Sequence, residues 1–278
     1  MLKSLSRPVR IVALAAFMVI AATMVSGVTD YGIFLNIGGL IIVVGGSIAN
    51  AFLSYSRENV KQSLQAIMEM VKTPPAIYSH LHRDIRQFIL WAYVVQQKGF
   101  LGLDQESTEK VYDPFMRYGL DMVVTGYSAN NIRRMMHTVA EAEFERRCVP
   151  VTILRNMAAN APAFGMVGTL VGMVILLKNA GSDLAAIESG MGIAMLSTLY
   201  GILAARLLCL PAADRLLQKE DKRNFRHYMI TEGLAMLAQK QKPYFVQDRL
   251  NSFLEPSRHI DLGVYLRSSF PQPAEAMM

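Results

Sequence analysis

Between Asn156 and Leu177 the chain reads NMAANAPAFGMVGTLVGMVILL, with no charged residue. At about 20 residues, such a stretch is long enough to cross a bilayer as a helix. It also holds Pro162, Gly165, Gly168, Thr169 and Gly172. A helix that only anchors a protein in lipid needs neither a proline nor a run of glycines. A helix that packs closely on other helices, and turns a polar spot toward them, uses both. The chain therefore reads as a working part of a membrane rather than as a tethered globule.

Three more windows are apolar enough to span: Ile11 to Thr29, Gly32 to Tyr55, and Gly190 to Leu210. The last is interrupted only by Arg206 near its end, where a long side chain can reach the interface. The first competes with a signal peptide, since Lys3, Arg7 and Arg10 precede it. Its apolar run exceeds the roughly 7–15 residues of a signal core, so we read it as an uncleaved span. Hydrophobic residues make up 52% of the chain and charged residues 18%, as expected for long apolar spans joined by ordinary polar segments.

The net charge of +6 poses a choice between nucleic acid and a positive-inside bias. The basic residues are scattered, without the aromatic–basic interleaving that tracks a phosphate backbone, so no nucleic acid is expected. They collect instead at span ends. Lys3, Arg7 and Arg10 precede the first span, Arg57 and Lys61 follow the second, Arg146, Arg147 and Arg155 precede the third, and Arg206 and Arg215 close the fourth. That pattern puts both termini and the long middle segment on the cytoplasmic side.

The middle segment has helical apolar spacing at Ile85, Phe88, Ile89, Ala92 and Tyr93. Ser128 is placed to cap a helix running from Ala129 toward Cys148, and Pro74-Pro75 and Gly126 punctuate between helices. The stretch Ala212 to Ala238 also reads as helix; past Glu255 the pattern fades and a flexible end is expected. No strand pattern is convincing. The expected fold is all-α: a polytopic membrane protein with four transmembrane helices and a helical cytoplasmic domain. Its parts are 1–56 (spans one and two), 57–150 (cytoplasmic), 151–211 (spans three and four) and 212–278 (cytoplasmic helix and tail).

Enzyme chemistry has little to stand on. No nucleophile elbow, P-loop or dinucleotide fingerprint is present. Cys148 and Cys209 lack metal-ligand spacing and read as free thiols, and the five histidines are dispersed. Neither a metal nor another cofactor is expected.

In span three, Pro162, Gly165 or Met166, Thr169 and Gly172 fall on one face. In span four, Ala194, Ser197 or Thr198, Gly201 and Ala205 do the same. If the two spans are antiparallel neighbours, Thr169, Ser197 and Thr198 lie at similar depth. Two readings stand: helix packing with hydroxyls bonded to their own backbone, or the polar wall of an ion path. None of the four spans carries Asp, Glu or His in its interior. Since proton movement through a membrane usually uses a buried ionisable relay, the titrating carboxylate must then come from a partner helix, which predicts a heteromeric complex.

Several blocks, in order, resemble the MotA/PomA family of flagellar stator subunits within the MotA/TolQ/ExbB superfamily. They are IIVVGGSIA (Ile41 to Ala49), GLDMVVTGYSANNIRRMM (Gly119 to Met136), APAFGMVGTLVGMV (Ala161 to Val174), AMLSTLYG (Ala194 to Gly201) and LPAAD (Leu210 to Asp214). Two spans precede the large cytoplasmic part, as in MotA/PomA; ExbB and TolQ have one. The resemblance implies an inner-membrane pentamer around a MotB/PomB-like partner that has a single span and a peptidoglycan anchor and brings the ion-binding aspartate. It implies ion-driven torque on a FliG-like rotor switch protein. It assigns Pro162, Thr169, Ser197 and Thr198 to the ion pathway, Pro162 and Pro211 to coupling, and Gly165, Gly168, Gly172 and Gly201 to helix packing.

The rotor-facing run departs from the family pattern. VQQKGFLGLD (Val95 to Asp104) has Gln96 where the family has arginine and Asp104 where it has glutamate. Arg86, Lys98, Asp104 and Glu106 are the candidate rotor contacts. Ala159 stands where the family has an aspartate. Thr169 resembles the sodium-type branch, where proton-type members carry alanine; Thr198 resembles both. Two other readings keep a place: a related ion-driven energiser of another envelope or gliding machine, and a membrane scaffold without ion flow.

Overall fold

The computed structural model describes residues 34–69, 78–107, 113–178 and 184–261. The described residues are helical, with no strand among them. The first expected span, Ile11 to Thr29, and the Pro74-Pro75 break lie outside them. The chain divides into two compact units. One holds residues up to Arg57 together with Arg155–Leu210; the other holds Glu58–Leu154 and the chain from Pro211 onward.

In the first unit, Asn36 caps helix α1 (Ile37–Leu40), its Oδ1 accepting from the Gly39 N–H at 3.0 Å. A π-helical stretch, Ile41–Gly45, follows and passes into α2 (Gly46–Ser54). Together Ile37–Ser54 is long and apolar enough to span. The π turn has a geometric cause. The buried positions Gly39, Val43, Ser47 and Ala51 recur every fourth residue. In a plain α-helix each such step overshoots a full turn by about 40°, so the stripe would drift by about 120°. A wider i→i+5 turn absorbs roughly one extra residue and brings the stripe back into line.

The same device recurs in the fourth span. Helix α7 (Leu184–Leu203) passes through a second π-helical stretch, Ala204–Cys209, into α8 (Leu210–Ala238). Ser197, Gly201, Ala205 and Cys209 are its buried four-residue stripe. Pro211, which has no N–H to give a preceding carbonyl, sits in the first turn of α8.

The third span is not a separate helix. The sequence pattern suggests one helix ending near Cys148 and another starting at Asn156, but α6 runs unbroken from Ala129 to Lys178. Pro150 removes only one hydrogen bond from it. Its ring is buried, and its carbonyl accepts from Ser63 Oγ at 3.3 Å.

The second unit also contains α3 (Arg57–Glu69), α4 (Tyr78–Ser107), α5 (Pro114–Val124) and α9 (Pro243–Asn251). Ile85, Phe88, Ile89 and Ala92 of α4 are buried in one apolar core with Leu120, Ile132, Met136, Ile230, Leu234 and Val246. Tyr93, on the same expected face, is 38% exposed. Gly99 breaks α4 with φ +69°, a conformation glycine adopts at little cost. Asp113 caps α5 by accepting from the Phe115 N–H at 3.0 Å, with Pro114 at the first helical position. Gly126, at φ +88°, ends α5: its N–H reaches the Val123 carbonyl and that of Tyr127 the Met122 carbonyl. Ser128 caps α6 as expected, accepting from the Asn131 N–H. Packing continues past Glu255, where the sequence pattern fades. Asn251 holds Ile260 at both backbone groups, each at 2.9 Å.

Candidate functional site

Within the first unit α6 and α7 meet along a seam of missing side chains. A methyl group added at Gly168 would stand 2.4 Å from Ser197 Cβ, and one at Gly172 would stand 2.5 Å from the Ala194 backbone nitrogen. At Gly201 it would come within 2.7 Å of the Ala161 carbonyl oxygen and 3.1 Å of Pro162 Cα. At Gly165 it would lie 3.0 Å from the Ser197 carbonyl oxygen. At these four glycines the two helices touch, against backbone at Gly165, Gly172 and Gly201 and against the Ser197 side chain at Gly168.

That approach brings the three expected hydroxyls together. Thr169 Oγ1 and Thr198 Oγ1 are 2.7 Å apart. Thr169 Oγ1 also lies 3.1 Å from the Ala194 carbonyl and 3.2 Å from its own-helix Gly165 carbonyl. Ser197, fully buried, donates to the Gly165 carbonyl across the seam at 3.1 Å or to Ala194 at 3.2 Å. Each hydroxyl has one proton to give. If Thr169 donates to a carbonyl it must accept from Thr198, which spends the Thr198 proton. Both threonine oxygens then keep lone pairs, and both residues are only half-buried. The seam presents hard oxygen acceptors and no charge of its own, a setting that suits a cation or a carboxylic acid brought from outside.

A second polar contact was not legible in the sequence. Tyr200 OH donates to the Phe34 carbonyl and accepts from the Asn36 N–H at 2.8 Å. It ties the start of the second span to the fourth. An Asn just ahead of an apolar helix was the available signal, as a capping residue; its tyrosine partner lies 164 positions away.

The expected rotor contacts belong to the other unit. Arg86 and Lys98 are exposed on α4, as is Gln96. Asp104 and Glu106 fall in the last two turns of α4, beyond the Gly99 break.

The second unit also holds an ionic cluster that the sequence reading missed. Arg226 of α8 donates through Nε to Asp84 Oδ2 at 2.5 Å and through Nη1 to Asp113 Oδ2. Burial pushes the Asp84 carboxyl above the ordinary aspartate value despite the guanidinium. Burial acts against the Asp113 charge too, but Arg226 and the N–H groups of Phe115 and Met116 outweigh it and hold that carboxyl low. Next to it, His227 is stacked on Phe115 with ring centroids 3.9 Å apart, and burial pulls its pKa down.

Long apolar helices, a second all-α unit with its own apolar core and a glycine-lined seam of hydroxyls define a multi-pass membrane protein. The profile of the MotA/TolQ/ExbB proton channel family matches residues 107–229. The Bacillus subtilis protein YtxD is 29% identical over 246 residues, covering 88% of this chain and 89% of YtxD. The chemotaxis protein PomA of Vibrio alginolyticus is 28% identical over 244 residues, covering 86% of this chain and 91% of PomA. The structure of C. jejuni MotAB superposes with a TM-score of 0.77 at 21% identity, covering 90% of this chain and 96% of that one. The chain is thus similar to the MotA/TolQ/ExbB proton channel family over residues 107–229, and to YtxD and PomA over most of its length.

Proposed function

We propose that this protein is the MotA/PomA-type stator subunit of a bacterial flagellar motor, a channel and force-transmitting part rather than an enzyme. It couples inward flow of sodium or protons to torque. The observation that carries this reading is the Thr169–Thr198 hydroxyl pair, set on a glycine seam that has oxygen acceptors but no carboxylate. The charge that moves with the ion then comes from a MotB/PomB-like single-span partner anchored to peptidoglycan.

In this reading five copies surround that partner in the inner membrane, with lipid on their outer faces and both termini in the cytoplasm. Pro162 and Pro211 transmit the change at the seam, and Arg86, Lys98, Asp104 and Glu106 face the FliG-like rotor protein. The wide oxygen environment of Thr169 favours sodium. Exposed Gln96, in place of the family's arginine, favours a second reading in which the same machinery drives another envelope or gliding device.

An in-frame deletion in the native host tests the assignment. Flagellated cells that do not swim, and are rescued by the intact gene, support it. Cells that swim normally in a background with no other stator gene sink it. Swimming speed that is indifferent to sodium removal at constant proton-motive force ends the sodium assignment.

A further inference from the structure

Helix α4 carries Arg86, Lys98, Asp104 and Glu106, and its packing on the core is apolar: Ile85, Phe88, Ile89, Ala92 and Val95. Apolar burial is non-directional. By itself it does not fix how α4 is turned about its axis, and that turn decides where exposed Arg86 and Lys98 point. Two directional contacts lie near the start of α4: His82 Nε2 meets the Arg258 carbonyl at 3.2 Å, and the Asp84 carboxylate accepts from Arg226. Asp84 is buried beneath Arg226, and the same guanidinium holds Asp113, the N-cap of α5.

The side chains of Asp84, Arg226 and Asp113 are only 7%, 18% and 23% exposed. Two carboxylates share one guanidinium, so the cluster buries an excess negative charge. That is a poor way to gain stability, since apolar side chains of the same volume usually do as well or better. It is a good way to fix geometry. The planar guanidinium fork sets the direction of both carboxylates at once. Arg226 also belongs to α8, which follows the fourth span without a break in helix.

We propose that Arg226, Asp84 and Asp113 form a clasp that positions α4 for its contact with the rotor. The role rests on the stator reading above. Arg226 acts through α4 and α5 and needs no contact with ion or rotor. A lysine at this place holds one carboxylate as a point charge and leaves the other unclasped. Asn at position 113 keeps the cap on Phe115 but gives up the charge pairing.

The test uses the full complex with its partner, carrying Arg226→Gln, Arg226→Lys or Asp113→Asn. Hydrogen exchange reads the helix, and stepwise recovery of bead rotation at high load reads torque per stator. Amides of 81–98 should exchange about tenfold faster in Arg226→Gln, with the seam amides of 161–172 unchanged. The speed gained per added stator at high load should shrink, with Arg226→Lys and Asp113→Asn in between, while near-zero-load speed is kept.

A merely structural role would instead lower the number of stators on the motor and leave the step height alone; that result overturns the proposal. Unchanged exchange in 81–98 across all three variants overturns it as well. A wild-type complex that restores no rotation refutes the stator reading and with it the rotor role. The exchange data would still decide whether the clasp holds α4.

Discussion

Substituting Gly172 by alanine is the sharpest probe of the seam. The new Cβ would stand 2.5 Å from the Ala194 nitrogen, 2.6 Å from the Gly190 carbonyl oxygen and 2.8 Å from Ala194 Cβ. Two of these are backbone atoms, so no side chain can swing aside. Reaching ordinary contact requires α6 and α7 to part by about 1 Å. Thr169 lies one turn away on the same helix. The same opening would stretch its 2.7 Å contact with Thr198 to about 3.7 Å, beyond hydrogen-bond reach. Overpacking costs about 1–3 kcal/mol. The lost hydroxyl contact adds about 1 kcal/mol, and better helix propensity returns up to about 1 kcal/mol. The net cost is about 1–3 kcal/mol, or several degrees in Tm for a chain of this size. Gly45→Ala is the control, because the nearest atom to its added Cβ is Ile41 Cγ2 at 3.9 Å. Thermal unfolding of the purified complex, followed in the same detergent, compares the two. Gly172→Ala unfolding at or above the temperature of Gly45→Ala would refute the close-packed seam.

Lys240 ends α8 in a left-handed conformation at φ 53°, which glycine adopts more cheaply; Lys240→Gly should stabilise by about 0.5 kcal/mol after losing the Lys240–Phe100 cation–π contact. In a Phe100→Leu background, where that contact is already gone, the gain should approach about 1 kcal/mol, read as a rise in Tm. His227 is held neutral by burial, so its folded pKa is depressed and the unfolded chain takes up the proton first. Its contribution is fully present above the unfolded value of about 6.5 and is lost as pH falls below that value through the lower folded pKa, so the fall in Tm from about pH 7.5 to acid should be smaller in His227→Phe. Equal slopes would show that His227 is not the group responsible.

The seam was legible because small residues at spacings of three and four mark a packing face whatever the partner is. Gly165, Gly168, Gly172 and Gly201 lie where α6 and α7 come closest. The core face of α4 was legible for the same reason, apart from Tyr93, whose phenol accepts partial exposure. The continuity of α6 was hidden because a proline and a basic cluster look like a boundary, while tertiary packing around Pro150 tolerates the single lost bond. The Asp84–Asp113–Arg226 cluster was hidden for another reason. Its members are separated by 142 and 113 positions, and periodicity carries no information about which distant charges meet.

The π turn at Ile41–Gly45 can also be regarded as the trace of an extra residue. It lets a stripe of four-residue spacings, Gly39, Val43, Ser47 and Ala51, face one way. Removing Val44 would shorten the middle spacing to three, the pattern a plain α-helix accommodates without drift. A chain one residue shorter at this point would fit the same bundle. The same deletion between Ile48 and Asn50 would swing Ala51 and all that follows by about 100°. This span thus has one place where its length is free to change and, on either side, none.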